Sequence, residues 1–124
     1  MTGILMANEK NVLGQPLKLC CGNTGFTREG FCYVPQGDHG NHSVCAIVSE
    51  EFLTFSKQRG NDLTSPMPQF SFAGLKAGDK WCLCAARWQE ALHNNCAPKV
   101  VLAATNQACL SILKLEDLKT HAAD

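Results

Sequence analysis

One short stretch of the chain gathers residue types that can bind a metal ion or activate a thiol. Asp38, His39, His42 and Cys45 all fall within eight residues. An imidazole and a thiolate are both zinc ligands, and an imidazole can also take the proton of a nucleophilic cysteine. Extended backbone would put His42 and Cys45 on opposite faces, about 10 Å apart, unless the chain bends before Val44. The alternatives are a zinc ligand pair, a catalytic pair, or a buried Cys45 beside a loop-capping His42.

Two further cysteines, Cys20 and Cys32, come from a part of the chain that is rich in loop-forming residues. Small zinc sites often gather their ligands from loops, and Cys20, Cys32, His42 and Cys45 would make a four-ligand zinc set. The usual separation of two to four residues between paired ligands is missing from this set. Zinc is nevertheless the cofactor to consider for this set. Cys32 also joins Cys45 as a candidate nucleophile, with His42 as the base.

Cys82 and Cys84 are separated by a single residue, in the stretch Trp81-Cys82-Leu83-Cys84. In a strand both thiols would share a face and could reach one metal ion, whereas in a helix they point about 200° apart. The helix is favoured by apolar residues at helical spacing, namely Trp81, Cys84, Ala85, Trp88 and Leu92. We therefore predict a helix over residues 81–94, with Asp79 as N-cap, Cys84 in the apolar stripe and Cys82 on the opposite side.

Polar residues in predicted loops and on helix surfaces offer a second kind of site. Arg87 could form a surface ion pair, or could point into a cleft and bind a carboxylate or lower the pKa of a thiol. Asn61 and Asp62 follow Gly60 and could form a turn or line a pocket under a long loop. The candidate ligand-binding cleft consists of Arg28, Asp38, His42, Asn61, Asp62 and Arg87.

An α+β fold, with a small sheet covered by helices, is predicted to position these residues within a single domain, 1–124. Residues 1–43 are dense in glycine and proline, which predicts mostly loops and short strands, with one strand over 31–34. Residues 44–124 are predicted to alternate strands and helices. They begin with an apolar strand over 44–48 and a helix that has Ser49 as N-cap and Gly60 as its stop. Later elements are a loop over 61–78, a strand over 99–104, a short helix over 105–110, a strand over 111–113 and a helix over 115–122.

Composition and charge restrict the class of function. The 124 residues carry 11 basic and 11 acidic side chains, so no net charge attracts phosphates, and nucleic-acid binding is not expected. No window reaches the roughly 18 apolar residues of a membrane span, and we find no match to a secretory signal. The expected compartment is the cytoplasm, where the eight cysteines would be buried thiols, metal ligands or redox groups and rarely disulfides. Cys96 and Cys109 are assigned to packing.

Residues spread over nearly the whole chain match a known pattern. They include Asn11–Gly14, Cys20, Arg28, Cys32, Asp38, His42, Cys45, the run 59–63, Gly74, Leu75, Gly78, Asp79 and the run 81–88. By these residues the chain resembles the bacterial domain-of-unknown-function family 2237. The resemblance implies a free-standing cytoplasmic domain with no assigned reaction. It places Cys20, Cys32, Cys45, Cys82 and Cys84 on the family pattern and His39, Cys96 and Cys109 outside it.

Three hypotheses for function follow from the sequence. The leading hypothesis is a binding or regulatory module whose polar cleft recognises an unidentified small molecule or protein. The second is a thiol-dependent enzyme or redox protein that uses Cys45 or Cys32 with His42. The third is a structural zinc domain built on Cys20, Cys32, His42 and Cys45.

Overall fold

A three-stranded antiparallel sheet organises the protein, with helices packed against one of its faces. The computed structural model describes residues 9–20, 32, 41–66 and 74–124. The strands are β1 (Val44–Ile47), β2 (Lys80–Leu83) and β3 (Lys99–Val100), and they lie in the order β2-β1-β3. The helices are α1 (Glu50–Gln58), α2 (Ala85–His93) and α3 (Leu115–Thr120), with 3-10 helices at Leu102–Ala104 and Gln107–Ser111. The predicted α+β fold is confirmed.

The first strand and helix form as the sequence predicts. β1 is the central strand and three of its four residues are buried, in keeping with its continuous apolar sequence. The Ser49 hydroxyl accepts a hydrogen bond from the Phe52 backbone N–H at 3.1 Å, which caps the N-terminus of α1. After the helix ends, Gly60 takes a φ of 87°, a left-handed conformation that glycine adopts without strain.

β2 occupies residues that helical spacing had assigned to the start of a helix, so that prediction is wrong. Lys80–Leu83 pairs with β1 over four residues, and α2 begins only at Ala85, with Cys84 as its N-cap residue. The periodic apolar pattern belongs to α2 from Ala85 onward, and pairing with β1 overrides it before that point. Asp79 was predicted as the helix cap, but its carboxylate accepts the Lys76 backbone N–H at 3.0 Å and closes the turn before β2.

The C-terminal quarter contains less strand than expected. The strand predicted over 99–104 is limited to Lys99–Val100 and is followed by a 3-10 helix. The residues predicted as a strand over 111–113 lie at and after the end of the second 3-10 helix, which Asn106 caps by accepting the Ala108 N–H at 2.9 Å. The final helix is present but ends at Thr120. The strand predicted over 31–34 lies outside the described residues, apart from Cys32.

The two faces of the sheet carry different chemistry because side chains alternate along a strand. One face presents Val44, Ala46 and Leu83 to the main apolar core, which also contains Phe52 of α1 and Trp88 of α2. The buried Trp88 indole N–H donates to the Pro98 carbonyl at 3.1 Å, so the largest core side chain has no unpaired polar atom. The opposite face presents cysteines.

The N-terminal segment, residues 9–20, lies along the stretch that contains the two 3-10 helices. The Val12 N–H donates to the Thr105 carbonyl and the Lys18 N–H donates to the Ala103 carbonyl, each at 3.0 Å. The fully buried Asn11 side chain also donates to the Ala103 carbonyl at 3.0 Å. These contacts place Cys20, the last residue of this segment, against the face of the sheet opposite the helices. None of the helices in the described ranges has the length and apolar character needed to cross a membrane.

Candidate functional site

The sheet brings two cysteines directly opposite each other. Cys45 of β1 and Cys82 of β2 are register partners in the antiparallel pair. Residues in such positions point to the same face, so both cysteine side chains lie on the side of the sheet away from the helices. The antiparallel pairing therefore brings together two cysteines that are 37 residues apart in the sequence.

Each of these sheet cysteines is joined to a cysteine from the N-terminal part of the chain. Cys20 forms a disulfide with Cys45 and Cys32 forms a disulfide with Cys82. The Cα–Cα separations are 5.6 Å and 5.2 Å, which lie within the normal range for disulfides. The sequence-based expectation that disulfides would be rare is corrected here, because four of the seven cysteines in the described part of the chain are paired. The four are called the cysteine cluster below.

All four sulfur-bearing residues of the cysteine cluster are buried and close together. The Sγ atoms of Cys20, Cys32 and Cys45 lie within 4.8 Å of one another, and the Sγ of Cys82 is bonded to that of Cys32. No member of the cluster is more than 4 % exposed. Ala104 completes this small apolar cluster, which is separate from the main core. Two disulfides therefore share one water-excluded site.

Hydrogen bonds fix the backbone of the cluster at Cys45. The Cys45 N–H donates to the Thr105 hydroxyl oxygen at 3.1 Å, and that hydroxyl donates to the Val101 carbonyl at 2.8 Å. The Val101 N–H in turn donates to the Cys45 carbonyl at 2.9 Å. Thr105 is fully buried, so each of these polar groups needs the partner it has. These hydrogen bonds hold the Cys45 backbone independently of its sulfur.

The disulfides contribute stability mainly by restricting the unfolded chain. They join residues 25 and 50 positions apart. In the chain-entropy account, closing loops of these lengths is worth about 3–4 kcal/mol for each cross-link. Both cross-links connect the N-terminal part of the chain to neighbouring strands.

The predicted zinc set is brought together in part. Cys20, Cys32 and Cys45 meet as expected, and among the described residues the group of ligand atoms within 4.8 Å of one another includes neither His42 nor Cys82. Cys82 reaches this group through its disulfide to Cys32. His42 is half-buried and lies just before β1. Cys82 was missed because the helix prediction sent it to the opposite side. The signal that could have found it is the strand alternative for the Trp81–Cys84 stretch.

Of the predicted cleft residues, Arg87 has the best-defined contacts. Its Nη1 donates to the Arg59 carbonyl at 3.1 Å and to Glu90 Oε1 at 3.4 Å. These bonds link α2 to the end of α1, and they leave the Arg87 side chain 36 % exposed. The ion pair with Glu90 is the surface alternative that the sequence offered, and such a pair contributes little stability.

Asn61 and Asp62 follow the end of α1. The Asn61 carbonyl accepts the Ser56 hydroxyl at 2.7 Å, and the Asp62 carboxylate accepts hydrogen bonds from Thr64 and Ser65. These bonds hold the pKa of the exposed Asp62 carboxyl well below its usual range, and the bond from the Ser65 hydroxyl has the largest effect. Asp62 therefore forms the turn that was the simpler of its two predicted roles. Arg28 and Asp38 lie outside the described residues, and the complete cleft is a prediction.

The remaining described cysteines are free thiols. Cys109 is fully buried in the main core, and burial raises its pKa to about 12. Cys96 also lies in that core, and burial followed by the Glu51 charge raises its pKa. Cys84 is half-buried at the start of α2, so its predicted place in an apolar stripe is wrong. Cys82, predicted on the opposite side of that helix, is instead in the cysteine cluster.

Two open cavities flank α1, away from the cysteine cluster. One, of about 610 Å³, lies between α1 and the turn that contains Asn94 and Cys96. The other, of about 660 Å³, lies between α1 and the segment that contains Leu75 and Lys76. Neither is lined by His42, Asn61, Asp62 or Arg87. The cysteine cluster is therefore the site with the most specific geometry in the described part of the chain.

Comparison with known proteins identifies the family but no activity. Residues 10–122 match the sequence model of domain-of-unknown-function family 2237, described as an uncharacterised protein conserved in bacteria. The match covers nearly the whole chain, and the protein therefore belongs to this family. No match to a curated protein was found.

Proposed function

We propose that this member of family 2237 is a redox-responsive regulatory module. In its oxidised form the cysteine cluster fastens the N-terminal segment to the sheet. Reduction by a cellular thiol or dithiol releases that segment. The partner, a protein or small molecule, distinguishes the two forms. The proposal combines the binding and redox hypotheses and assigns the chemistry to cysteines that lie together.

One observation carries the proposal: both disulfides lie at the same place and join the same two parts of the molecule. Two cross-links with purely structural roles would restrict the unfolded chain wherever they were placed. Here Cys20 and Cys32 are both tied to adjacent strands, with three of the four sulfurs within 4.8 Å of one another. The position of the N-terminal segment therefore depends on the oxidation state of a single site.

The redox step is balanced by an external thiol. Each disulfide accepts two electrons and two protons and becomes two thiols, while two thiol groups of the reductant become one disulfide. Attack must begin at a sulfur that becomes accessible when the N-terminal segment opens locally, because the closed cluster is buried.

A regulatory role is supported over thiol catalysis by the surroundings of the sulfurs. The candidate nucleophiles Cys32 and Cys45 are fully buried and each is part of a disulfide. Burial in apolar surroundings raises the pKa of a thiol and makes it a poor nucleophile, as it raises the pKa of Cys109 to about 12. Catalysis by either residue with His42 as base is a prediction that labelling of the reduced protein can test.

Hydrogen exchange of the oxidised and reduced protein tests the proposed function. We expect the Val12 and Lys18 amides, which bond to the Thr105 and Ala103 carbonyls, to lose protection on reduction. The loss should be at least about 100-fold, because the Cys20–Cys45 cross-link alone is worth about 3 kcal/mol and reduction opens both disulfides. The Val101 amide, bonded to the Cys45 carbonyl within the sheet, should keep most of its protection.

Two variants sharpen this test. Replacing Cys20 and Cys45 together by serine should reproduce the effect of reduction at Val12 and Lys18 without any reductant. Cys84→Ser, which changes a free thiol directly after β2, should respond to reduction as the wild type does. Equal protection of Val12 and Lys18 in oxidised and reduced protein would contradict the proposal.

A further inference from the structure

The cysteine cluster has the composition of a metal site once its disulfides are opened. Its three mutually close donor atoms are all cysteine sulfurs, and the fourth sulfur is bonded to one of them. Four thiolates without carboxylates favour soft or borderline ions such as Zn²⁺ over Mg²⁺ or Ca²⁺. The ligand chemistry therefore indicates a thiophilic divalent cation.

Three of the four sulfurs already lie close to the separations that a tetrahedral ion requires. Zinc–sulfur bonds of about 2.3 Å in a tetrahedron place the sulfurs about 3.8 Å apart. The sulfurs of Cys20, Cys32 and Cys45 already lie within 4.8 Å of one another. Cys45 and Cys82 leave directly opposed positions of two strands, so both point to the same space. Opening the two S–S bonds lets each bonded pair separate by about 2 Å, and the Cys82 sulfur, which lies outside the group of three, must move closer to at least one of Cys20 and Cys45.

Burial makes the ion more favourable than free thiolates would be. Each cluster residue is at most 4 % exposed, and isolated negative charges in such a place are costly. A divalent cation bonded to all four sulfurs offsets two of the four charges and removes the need for water. Thr105 and Val101 hold the backbone of Cys45 in place in either state.

We propose that the reduced protein binds one thiophilic divalent cation, of the zinc class, through Cys20, Cys32, Cys45 and Cys82. This inference rests on the proposed function, because the sulfurs must first be reduced. Two disulfides take up four electrons and four protons from two equivalents of a dithiol, which become disulfides. Binding the ion as a four-thiolate site then releases four protons. Oxidation by two equivalents of an external disulfide, which take up the four electrons and four protons from solution and become four thiols, re-forms both protein disulfides and releases the ion.

Metal titration of the reduced protein under anaerobic conditions tests this inference. After the dithiol is removed, Co²⁺ serves as a spectroscopic probe and Zn²⁺ is titrated against a chromophoric chelator. We expect one ion per chain, a Co²⁺ spectrum with sulfur-to-metal charge-transfer bands and tetrahedral intensity, and displacement of Co²⁺ by Zn²⁺. The oxidised protein should bind neither ion at this site.

Three variants identify the ligands. Cys82→Ser should weaken Zn²⁺ binding by more than about 100-fold, the upper end of what loss of an outer-shell partner costs. His42→Ala should leave binding unchanged, since Cys82 takes the place that the sequence gave to His42. Cys84→Ser is the matched control two residues from Cys82 and should also bind as the wild type does.

The outcomes separate this inference from the proposed function. A reduced, folded protein that shows no Co²⁺ or Zn²⁺ binding overturns the metal site but leaves the redox response intact. Unchanged affinity in Cys82→Ser, or lost affinity in His42→Ala with an unchanged circular dichroism spectrum, also overturns it. If the cluster cannot be reduced without global unfolding, both proposals fail together.

Discussion

At the scale of single residues, Cys45 has two separate roles. Its sulfur belongs to the cysteine cluster, and its backbone N–H belongs to a buried hydrogen-bond chain through the Thr105 hydroxyl to the Val101 carbonyl. In the proposed redox step the first role would change and the second would persist. Thr105 would thus preserve the position of the site.

Thr105→Val should destabilise the oxidised protein by about 1–3 kcal/mol. Valine has nearly the same shape but cannot accept the Cys45 N–H or donate to the Val101 carbonyl. The buried Cys45 N–H therefore loses its partner, while the Val101 carbonyl keeps only the Ala104 N–H. Urea denaturation measures the change. Thr120→Val is the control, because its hydroxyl bonds to the Glu116 carbonyl at an exposed position and should cost less than about 0.5 kcal/mol. Equal effects of the two substitutions would contradict this role of Thr105.

Cys109 should make stability fall at alkaline pH. Burial raises its pKa from 9.0 to about 12, so the folded state keeps a proton that the unfolded state loses. The contribution is fully present below pH 9 and is lost as pH rises from about 9 towards 12. Over that range the free energy of unfolding of the wild type should fall more steeply than that of Cys109→Ala, by up to about 1.4 kcal/mol per pH unit. Chemical denaturation with one denaturant, with short exposure to alkali, measures this difference for both proteins between pH 8 and pH 11. An equal dependence of the free energy of unfolding on pH in the two proteins would refute the prediction.

At the scale of elements, local patterns predicted β1 and α1 but not β2. The apolar run, the Ser49 cap and Gly60 all act within a few residues, so the sequence displays them directly. The Trp81–Cys84 stretch satisfies both helical and strand spacing. Only its pairing with β1, which is remote in the chain, decides between them.

The same limitation explains which part of the site could be predicted. Cys20, Cys32 and Cys45 were recognised as a set because they are cysteines in or beside loop-rich sequence. Cys82 could not join them while its segment was assigned to a helix. His42 took its place because it is near Cys45 in sequence, whereas the structure brings sulfurs together through strand register.

The segment that leads into β2 should be sensitive to a side chain at Gly74. Gly74 has a φ of 87°, and a Cβ there would collide with the Thr64 carbonyl oxygen of the facing backbone. Gly74→Ala should therefore destabilise the protein by about 2 kcal/mol or more, through strain and displacement of the loop. Gly78→Ala is a matched control, because φ is also positive, at 96°, but the added Cβ would meet nothing within 4 Å. Thermal denaturation that ranks Gly78→Ala as equally or more harmful would contradict the close approach.

At the scale of the whole molecule, the sheet separates an apolar core from a face that carries the cysteine cluster. The helices cover Val44, Ala46 and Leu83, while Cys45 and Cys82 meet the N-terminal part of the chain on the other side. The main core contains none of the four disulfide-bonded cysteines found among the described residues. The proposed change of redox state would therefore act on one face, and we expect the helix-covered face to persist.

The redox midpoint of the cysteine cluster tests the central claim most directly. The folded protein would be equilibrated in dithiol–disulfide buffers, trapped by alkylation and weighed by mass spectrometry, with circular dichroism recorded at each potential. We expect the two disulfides formed by Cys20, Cys32, Cys45 and Cys82 to be reduced reversibly to four thiols between about −180 and −300 mV, the range of cellular thiol systems. The helical circular dichroism signal should persist at each potential. A midpoint well below about −300 mV, or reduction only together with global unfolding, would mark both disulfides as structural and contradict the account.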